Sequence, residues 1–233
     1  MRRRPGWVVS CEHGGHTVPA RYRELFAGKE RLLASHRGWD PGALTLAKEL
    51  AQALGAPLIA STTTRLLVDL NRSNGHPSRL GPLVRSLPLS ERQRIDRYYY
   101  DPYRQRVAQA VERAGGRGDC VIHLSVHSFV SILRGHRRRA DIGLLYDPSR
   151  SQERMIAGAV AHAVRLHLPG LRVRRNYPYR GAADALVTAL RRQYAPSAYA
   201  GLELELNQRF VRDPVRFRCV RSALIQAVVA IGR

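Results

Sequence analysis

Residues 40–60 constrain this chain more than any other stretch. Leu44, Leu46, Ala47, Leu50, Ala51 and Leu54 recur at helical spacing and give one apolar face. Asp40 suits an N-cap and Pro41 the first helical position, so the spacing predicts a helix starting at residue 40. Gly55 ends it, and residues 57–60 begin an apolar strand. An earlier apolar run at residues 7–9 reads as another strand. Strand, helix and strand in that order make the right-handed crossover of a parallel or mixed sheet.

The alternation continues. Further strands are predicted at 62–70, 120–126, 141–146, 171–173 and 200–206. A helix is predicted from residue 90 to about 114 with a break near Pro102, and others at 152–168 and 214–231. Residues 71–75 and 115–118 read as turns, 76–90 as a surface loop, and 182–192 as helix or loop. The pattern predicts an α/β fold, a three-layer mixed sheet with helices on both faces, in one domain over residues 1–233. No apolar run is long enough to span a membrane. The opening Met-Arg-Arg-Arg resembles the start of a signal peptide, but Pro5, Gly6 and the polar residues 11–13 leave no apolar core, so a cytoplasmic protein is expected. Cys11, Cys120 and Cys219 are too widely spaced for a disulfide framework or a cysteine zinc site.

Lys and Arg number 39 against 18 acids, a net charge of +21, and nearly all the cations are Arg. They are spread along the chain, with one dense run at residues 134–139 and no nucleic-acid motif beside it. No specific nucleic-acid partner is expected; a small anionic substrate is. With acids this scarce, Asp69, Glu203 and Glu205 stand out because they lie among apolar strand residues.

The chemistry concentrates where strands end. His13 and His16 share a glycine-broken loop after the first strand, and the His-x-x-His spacing can bring two imidazoles to one zinc ion. Glu12 competes with His16 as second ligand. His127, at the end of the apolar run 120–126, is placed to be another ligand. His123, four residues earlier, reads as a core histidine. Glu203 and Glu205 alternate with leucines, so both carboxylates share one strand face, and either can serve as general base for an attacking water. Asn71 and Arg72, after a predicted strand end, are suited to clamp a substrate carboxylate, with Arg65 a second cation. Tyr98, Tyr99, Tyr100 and Tyr103 read mainly as packing.

The segments SCEHGG (10–15), WDPGA (39–43), LVDLNRS (67–73), VHSF (126–129), DIGL (141–144), NYPYRG (176–181) and GLELEL (201–206) together resemble the N-formylglutamate amidohydrolase family, in its order and over nearly the whole chain. That family is related to zinc carboxypeptidases and aspartoacylases. The resemblance implies a zinc-peptidase-like (phosphorylase/hydrolase-like) α/β fold and hydrolysis of an amide C–N bond in a small carboxylate-bearing substrate. It implies His13 and His127 as first and last zinc ligands, Glu205 as catalytic carboxylate with Glu203 beside it, and Asn71 and Arg72 as substrate clamp, with Arg65 or Arg180 assisting. Carboxypeptidases carry Glu where this chain has His16, so the second ligand is open among His16, Glu12 and Asp40. The expected activity is zinc-dependent hydrolysis of an N-acyl amino acid, N-formylglutamate first, by a monomer or small homo-oligomer. Another N-acylated or cell-wall-like substrate, or a basic nucleic-acid-binding protein on a hydrolase fold, are the alternatives.

Overall fold

The computed structural model describes residues 5–116 and 120–231. The opening Met-Arg-Arg-Arg and the second half of the turn expected at 115–118 lie outside the described residues. The elements run β1 (Gly6–Cys11), α1 (Glu30–Leu33), α2 (Ala43–Leu54), β2 (Leu58–Ala60), α3 (Pro82–Arg85), α4 (Leu89–Ile95), α5 (Asp101–Gly115), β3 (Val121–Phe129), β4 (Ile132–Leu133), β5 (His136–Arg137), β6 (Ile142–Leu145), α6 (Ser151–His167), β7 (Val173–Arg175), α7 (Leu186–Arg191), β8 (Tyr199–Asn207) and α8 (Pro214–Ile231). Six strands form one mixed sheet in the order β2-β1-β3-β8-β6-β7. From β2 to β8 every pairing is parallel, and β6 turns antiparallel to β8.

Two apolar clusters cover the two faces of the sheet. Val9, Leu124, Val126, Leu202 and Leu204 pack with Leu46 and Leu50 of α2, Val160 of α6 and Leu224 of α8. On the other side Val8, Val121 and Tyr199 pack with Tyr103 and Val107 of α5, Leu186 of α7 and the buried run around Leu67. Leu46 and Leu50 are fully buried, each stabilising the fold by about 1.5–3 kcal/mol. β3 and β8 are buried along their whole length, as expected of central strands covered on both faces.

The period of two then sorts the chemistry. Alternate residues of the central strands put Ser10, His123, Ser125, His127, Glu203 and Glu205 on the face opposite to Val9, Leu124, Val126 and Leu204. Register sets Ser125 beside Glu203 and His127 beside Glu205. β3 runs two residues beyond His127, so that histidine sits within the strand and not at the start of a loop.

Two expectations fail for identifiable reasons. Helix α2 begins at Ala43, with Gly42 as N-cap at φ 81, and Asp40 does not cap it with its side chain. Gly42 has no room for a Cβ, which would lie 2.7 Å from Val211. This left-handed step frees the Asp40 carboxylate to point elsewhere. Residues 62–70 form no strand. Among the described residues the segment makes isolated bridges, Thr63 with Thr17 and Val68 with Leu80, in place of a ladder, while Leu66 to Leu70 are buried consecutively. Their backbone is satisfied piecemeal, Thr64 N donating to Thr17 O, Arg65 N to Gly38 O and Asp69 N to Arg79 O. The run of β-branched and aliphatic residues imitates a strand, but tertiary packing decides otherwise. The helix expected from 90 to 114 is α4 and α5 joined by a wide turn, Asp96–Tyr100, just before Pro102.

Gly143 of β6 faces Glu205 across the ladder, and a Cβ there would strike the carbonyl oxygen of Tyr177 and come within 3.1 Å of Glu205 Cβ. Gly143→Ala is therefore expected to cost about 1–3 kcal/mol of overpacking, read as a lowered urea midpoint with the slope unchanged.

Candidate active site and metal centre

β1 delivers Glu12 and His13 at its C-terminal end, and the next loop returns Asp40 beside them, its backbone N–H donating to the carbonyl of His13 at 2.9 Å. Gly15 permits this course through close approach, since a Cβ would sit 2.8 Å from Thr62. β3 delivers His127 and β8 delivers Glu203 and Glu205. The four acids and two histidines are all buried.

The two imidazoles converge. His13 Nδ1 lies 3.3 Å and His127 Nδ1 2.9 Å from the same oxygen, Asp40 Oδ2. The ring centroids are 5.1 Å apart. One donor atom from each of His13, Asp40 and His127 fits within 4.8 Å of the others. Each far nitrogen is anchored to a buried carboxylate: His13 Nε2 is 2.7 Å from Asp69 Oδ1, and His127 Nε2 is 3.1 Å from Glu12 Oε2 and 2.9 Å from Ser125 Oγ. Metal-binding histidines carry such outer carboxylates, which fix the ring and aim the inner nitrogen.

Outer groups are held in turn. Tyr103 donates to Glu12 Oε1 at 3.1 Å and Ser125 to Oε2 at 2.7 Å. Arg65 donates to Asp69 at 2.6 Å and reaches Asp40 at 3.5 Å. Burial works to raise the Glu12, Asp40 and Asp69 carboxyls, but the imidazoles, with Arg65 at the two aspartates, hold all three below the usual range. Burial works to lower both imidazoles, but the carboxylates raise them, His127 most. Glu205 differs: burial, reinforced by Asp40 and Glu203, pushes it up to about 8. Its Oε2 is buried without a hydrogen-bond partner.

These observations test the site against a divalent cation. Two imidazole nitrogens and a carboxylate oxygen are the donor types zinc takes, three protein ligands suit a catalytic site, and an orphaned carboxylate oxygen stands nearby. The residues fit.

Sequence-derived candidates sort clearly. His13, Asp40 and His127 come together. His16 is exposed, its ring 5.0 Å from that of Trp39, and lies outside the group of potential donors, which contains Asp40 in addition to His13 and His127. Glu12 sits behind His127. Asn71 donates to Glu203 Oε1 at 2.9 Å and accepts from Leu186 N at 2.8 Å, so it is committed to holding Glu203. Arg72 donates to the carbonyl of Asp184 at 2.7 Å and, with Arg65, Arg180, Glu203 and Glu205, lines a cavity of 320 Å³. The wall from Tyr179 to Ala185 is tied down by buried Arg191, which donates to Gly181 O, to Gly201 O and to Glu153. Asp69, Ser125 and Tyr103 are outer-shell groups that the sequence did not assign. Asp69 alone left a trace, as an acid among apolar neighbours. His123 is a satisfied core histidine between Ser10 and Tyr199, lowered by burial to about 4.

The sequence matches the N-formylglutamate amidohydrolase family over residues 6–212. The chain belongs to that family. Membership makes it a hydrolase of carbon–nitrogen bonds other than peptide bonds. Among solved structures, a gene product of Agrobacterium tumefaciens is 26% identical with a TM-score of 0.79, covering 98% of this chain and 91% of that one. The N-formylglutamate amidohydrolase from Ralstonia eutropha JMP134 is 22% identical with a TM-score of 0.70, covering 100% and 94%. A metallo-carboxypeptidase from Burkholderia cenocepacia is more distant, 13% identical with a TM-score of 0.44, covering 98% and 57%. No curated protein matches the sequence. Among the described residues, no helix is long and apolar enough to cross a membrane.

Glu205 gives a pH test. Its carboxyl binds a proton more tightly folded, at about 8, than at its ordinary value of 4.5. The folded state therefore carries more protons between those values, and the stability Glu205 contributes declines as pH rises through them. In metal-free protein, Glu205→Gln is expected to gain stability relative to wild type between pH 5 and pH 8, read from paired urea midpoints. A difference that does not vary with pH contradicts the assigned environment.

Proposed function

We propose that the chain hydrolyses the amide bond of an N-acyl amino acid, N-formylglutamate first, with a zinc ion held by His13, Asp40 and His127. The reading is carried by the convergence of His13 Nδ1 and His127 Nδ1 on one Asp40 oxygen beside an arginine-lined cavity. A zinc ion there would supply Lewis acidity to the scissile carbonyl and lower the pKa of water.

The chain's own residues do the rest. Glu205 is the base: its buried, unpartnered Oε2 accepts a proton from the attacking water and returns it to the leaving amine. A carboxyl raised to about 8 by burial is suited to both tasks near neutral pH, and positive charge beside it draws it back toward the ionised form. Asn71 holds Glu203, and Glu203 keeps a second negative charge near the base. Arg72 and Arg180 face the cavity and receive the substrate carboxylate, Arg72 with one nitrogen fixed by Asp184. Arg65 is largely committed to Asp69 and Asp40, and its part is to hold the outer shell.

Formate release from a panel of N-formyl amino acids, beside N-acetylglutamate and a muramoyl peptide, tests this. N-formylglutamate should be turned over. Glu205→Gln should lose at least about a hundredfold in kcat while keeping its metal. Arg72→Gln should raise KM about tenfold or more with a smaller change in kcat, as expected when ground-state binding is removed. Absence of formate from every N-formyl amino acid would overturn the substrate; near-normal turnover in Glu205→Gln would move the base to Glu203.

A further inference from the structure

A second cavity adjoins the first. It is an open groove of 480 Å³, and Arg65 lines both. Around the groove stand Arg37, Arg85, Arg134 and His36. Its one acid, Asp69, is buried and engaged by Arg65 and His13. Among the described residues, the side chains of Arg37 and Arg134 have neither a hydrogen-bond nor an ion-pair partner, and Arg85 donates only to the carbonyl of Pro77, at 3.4 Å. Arg65 is neutralised by Asp69 and Asp40, so three arginines, Arg37, Arg85 and Arg134, line one open groove with no acid paired to them among the described residues. Their repulsion is an unfavourable arrangement that an anion would relieve. The field is felt at His36, which burial and then Arg37, Arg138 and Arg65 push below its ordinary value.

The backbone adds an independent observation. Strands β4 and β5 pair as a hairpin whose two-residue turn is Arg134-Gly135, at φ 50 and φ 79. Asn, Asp or Gly normally takes the first position of such a turn. An arginine held left-handed there costs about 1–2 kcal/mol. Arg134 is among the residues that line the groove.

We propose that this groove is a second anion site, separate from the reaction cavity, which takes a small ligand carrying at least two carboxylate or phosphate groups. The forked guanidinium matches either oxyanion bidentately. Two sources share this chemistry: the acidic far end of a substrate longer than one residue, and a free multivalent anion. Arg65 places either one side chain away from the reaction centre.

Titration of the full chain at about 0.15 M salt, where charges are screened beyond roughly 8 Å, tests this. The probes are tri-glutamate and fructose 1,6-bisphosphate. One bound ligand per chain is expected for at least one probe. Arg37→Ser with Arg134→Gly should weaken it about tenfold or more, with N-formylglutamate turnover unchanged. Arg134→Gly suits the turn, so its melting temperature should hold or rise and misfolding cannot explain the loss. The control pair Arg113→Ser with Arg218→Ser removes equal charge from exposed positions outside the groove and should leave binding intact. Equal losses in the two double variants, no binding by wild type, or a 12-mer oligonucleotide that displaces both probes at equal charge would overturn the proposal. The sources separate by KM: N-formyl-tri-glutamate should show a lower KM than N-formylglutamate, lost in the groove variant, only if the ligand is the substrate's own end. Binding is read directly, so failure of all N-formyl turnover would count against the proposed activity and not against this site.

Discussion

The structure depends on keeping charged groups buried on one face of its central strands. His127, Glu203 and Glu205 project from the sheet, and the turns and loops add Glu12, His13, Asp40 and Asp69, none more than 5% exposed. Isolated charges in such a place would each cost several kcal/mol. They persist because each is paired: Glu12 with His127, Ser125 and Tyr103, Asp40 with both histidines, Asp69 with His13 and Arg65, Glu203 with Asn71. Glu205 is the exception, with one oxygen buried and unsatisfied. Among the described residues of this network, the one buried side-chain oxygen left without a partner belongs to the proposed base.

That requirement explains the irregular parts of the fold. Residues 62–70 pair through two isolated bridges in place of a ladder and bury Leu66 to Leu70 consecutively, which brings Asp69 up to His13 with Arg65 on its other oxygen. Gly42 takes a left-handed conformation in front of α2, and the Asp40 carboxylate leaves the helix end for His13 and His127. Arg191, buried beneath the cavity wall, ties the segment that carries Arg180 to β8, the strand that carries both glutamates. Regular strands supply Glu203, Glu205 and the His127 imidazole; loops under tertiary constraint supply His13, Asp40 and Asp69.

The regular part was legible in the sequence. Period-two alternation put Glu203 and Glu205 on one face, and the apolar run before His127 marked a central strand. His13 followed from its place at a strand end. Asp-Pro-Gly before an apolar helix fits a helix cap, so the local pattern assigns Asp40 that role, and only the resemblance to known hydrolases makes it a possible ligand. His16 looked favourable because His-x-x-His is a common ligand spacing, but close approach of the 61–62 backbone to Gly14 and Gly15 sends the next ring outward against Trp39. Asn71 carried the right chemistry for a clamp, yet its amide is used up on Glu203 and on the start of α7. Such assignments depend on contacts between residues 23 to 132 positions apart in the chain, which local spacing does not encode. The net charge of +21 was also ambiguous as a number. The structure locates a part of it, with Arg37, Arg85 and Arg134 lining one groove that shares Arg65 with the neighbouring cavity.

The central claim is that Asp40, and not His16, completes the metal centre. Elemental analysis of wild type, Asp40→Ala and His16→Ala, purified identically and dialysed against a weak chelator, tests it most directly. About one zinc per chain is expected in wild type and in His16→Ala, with most of it lost in Asp40→Ala. Full zinc in Asp40→Ala with loss in His16→Ala would contradict it.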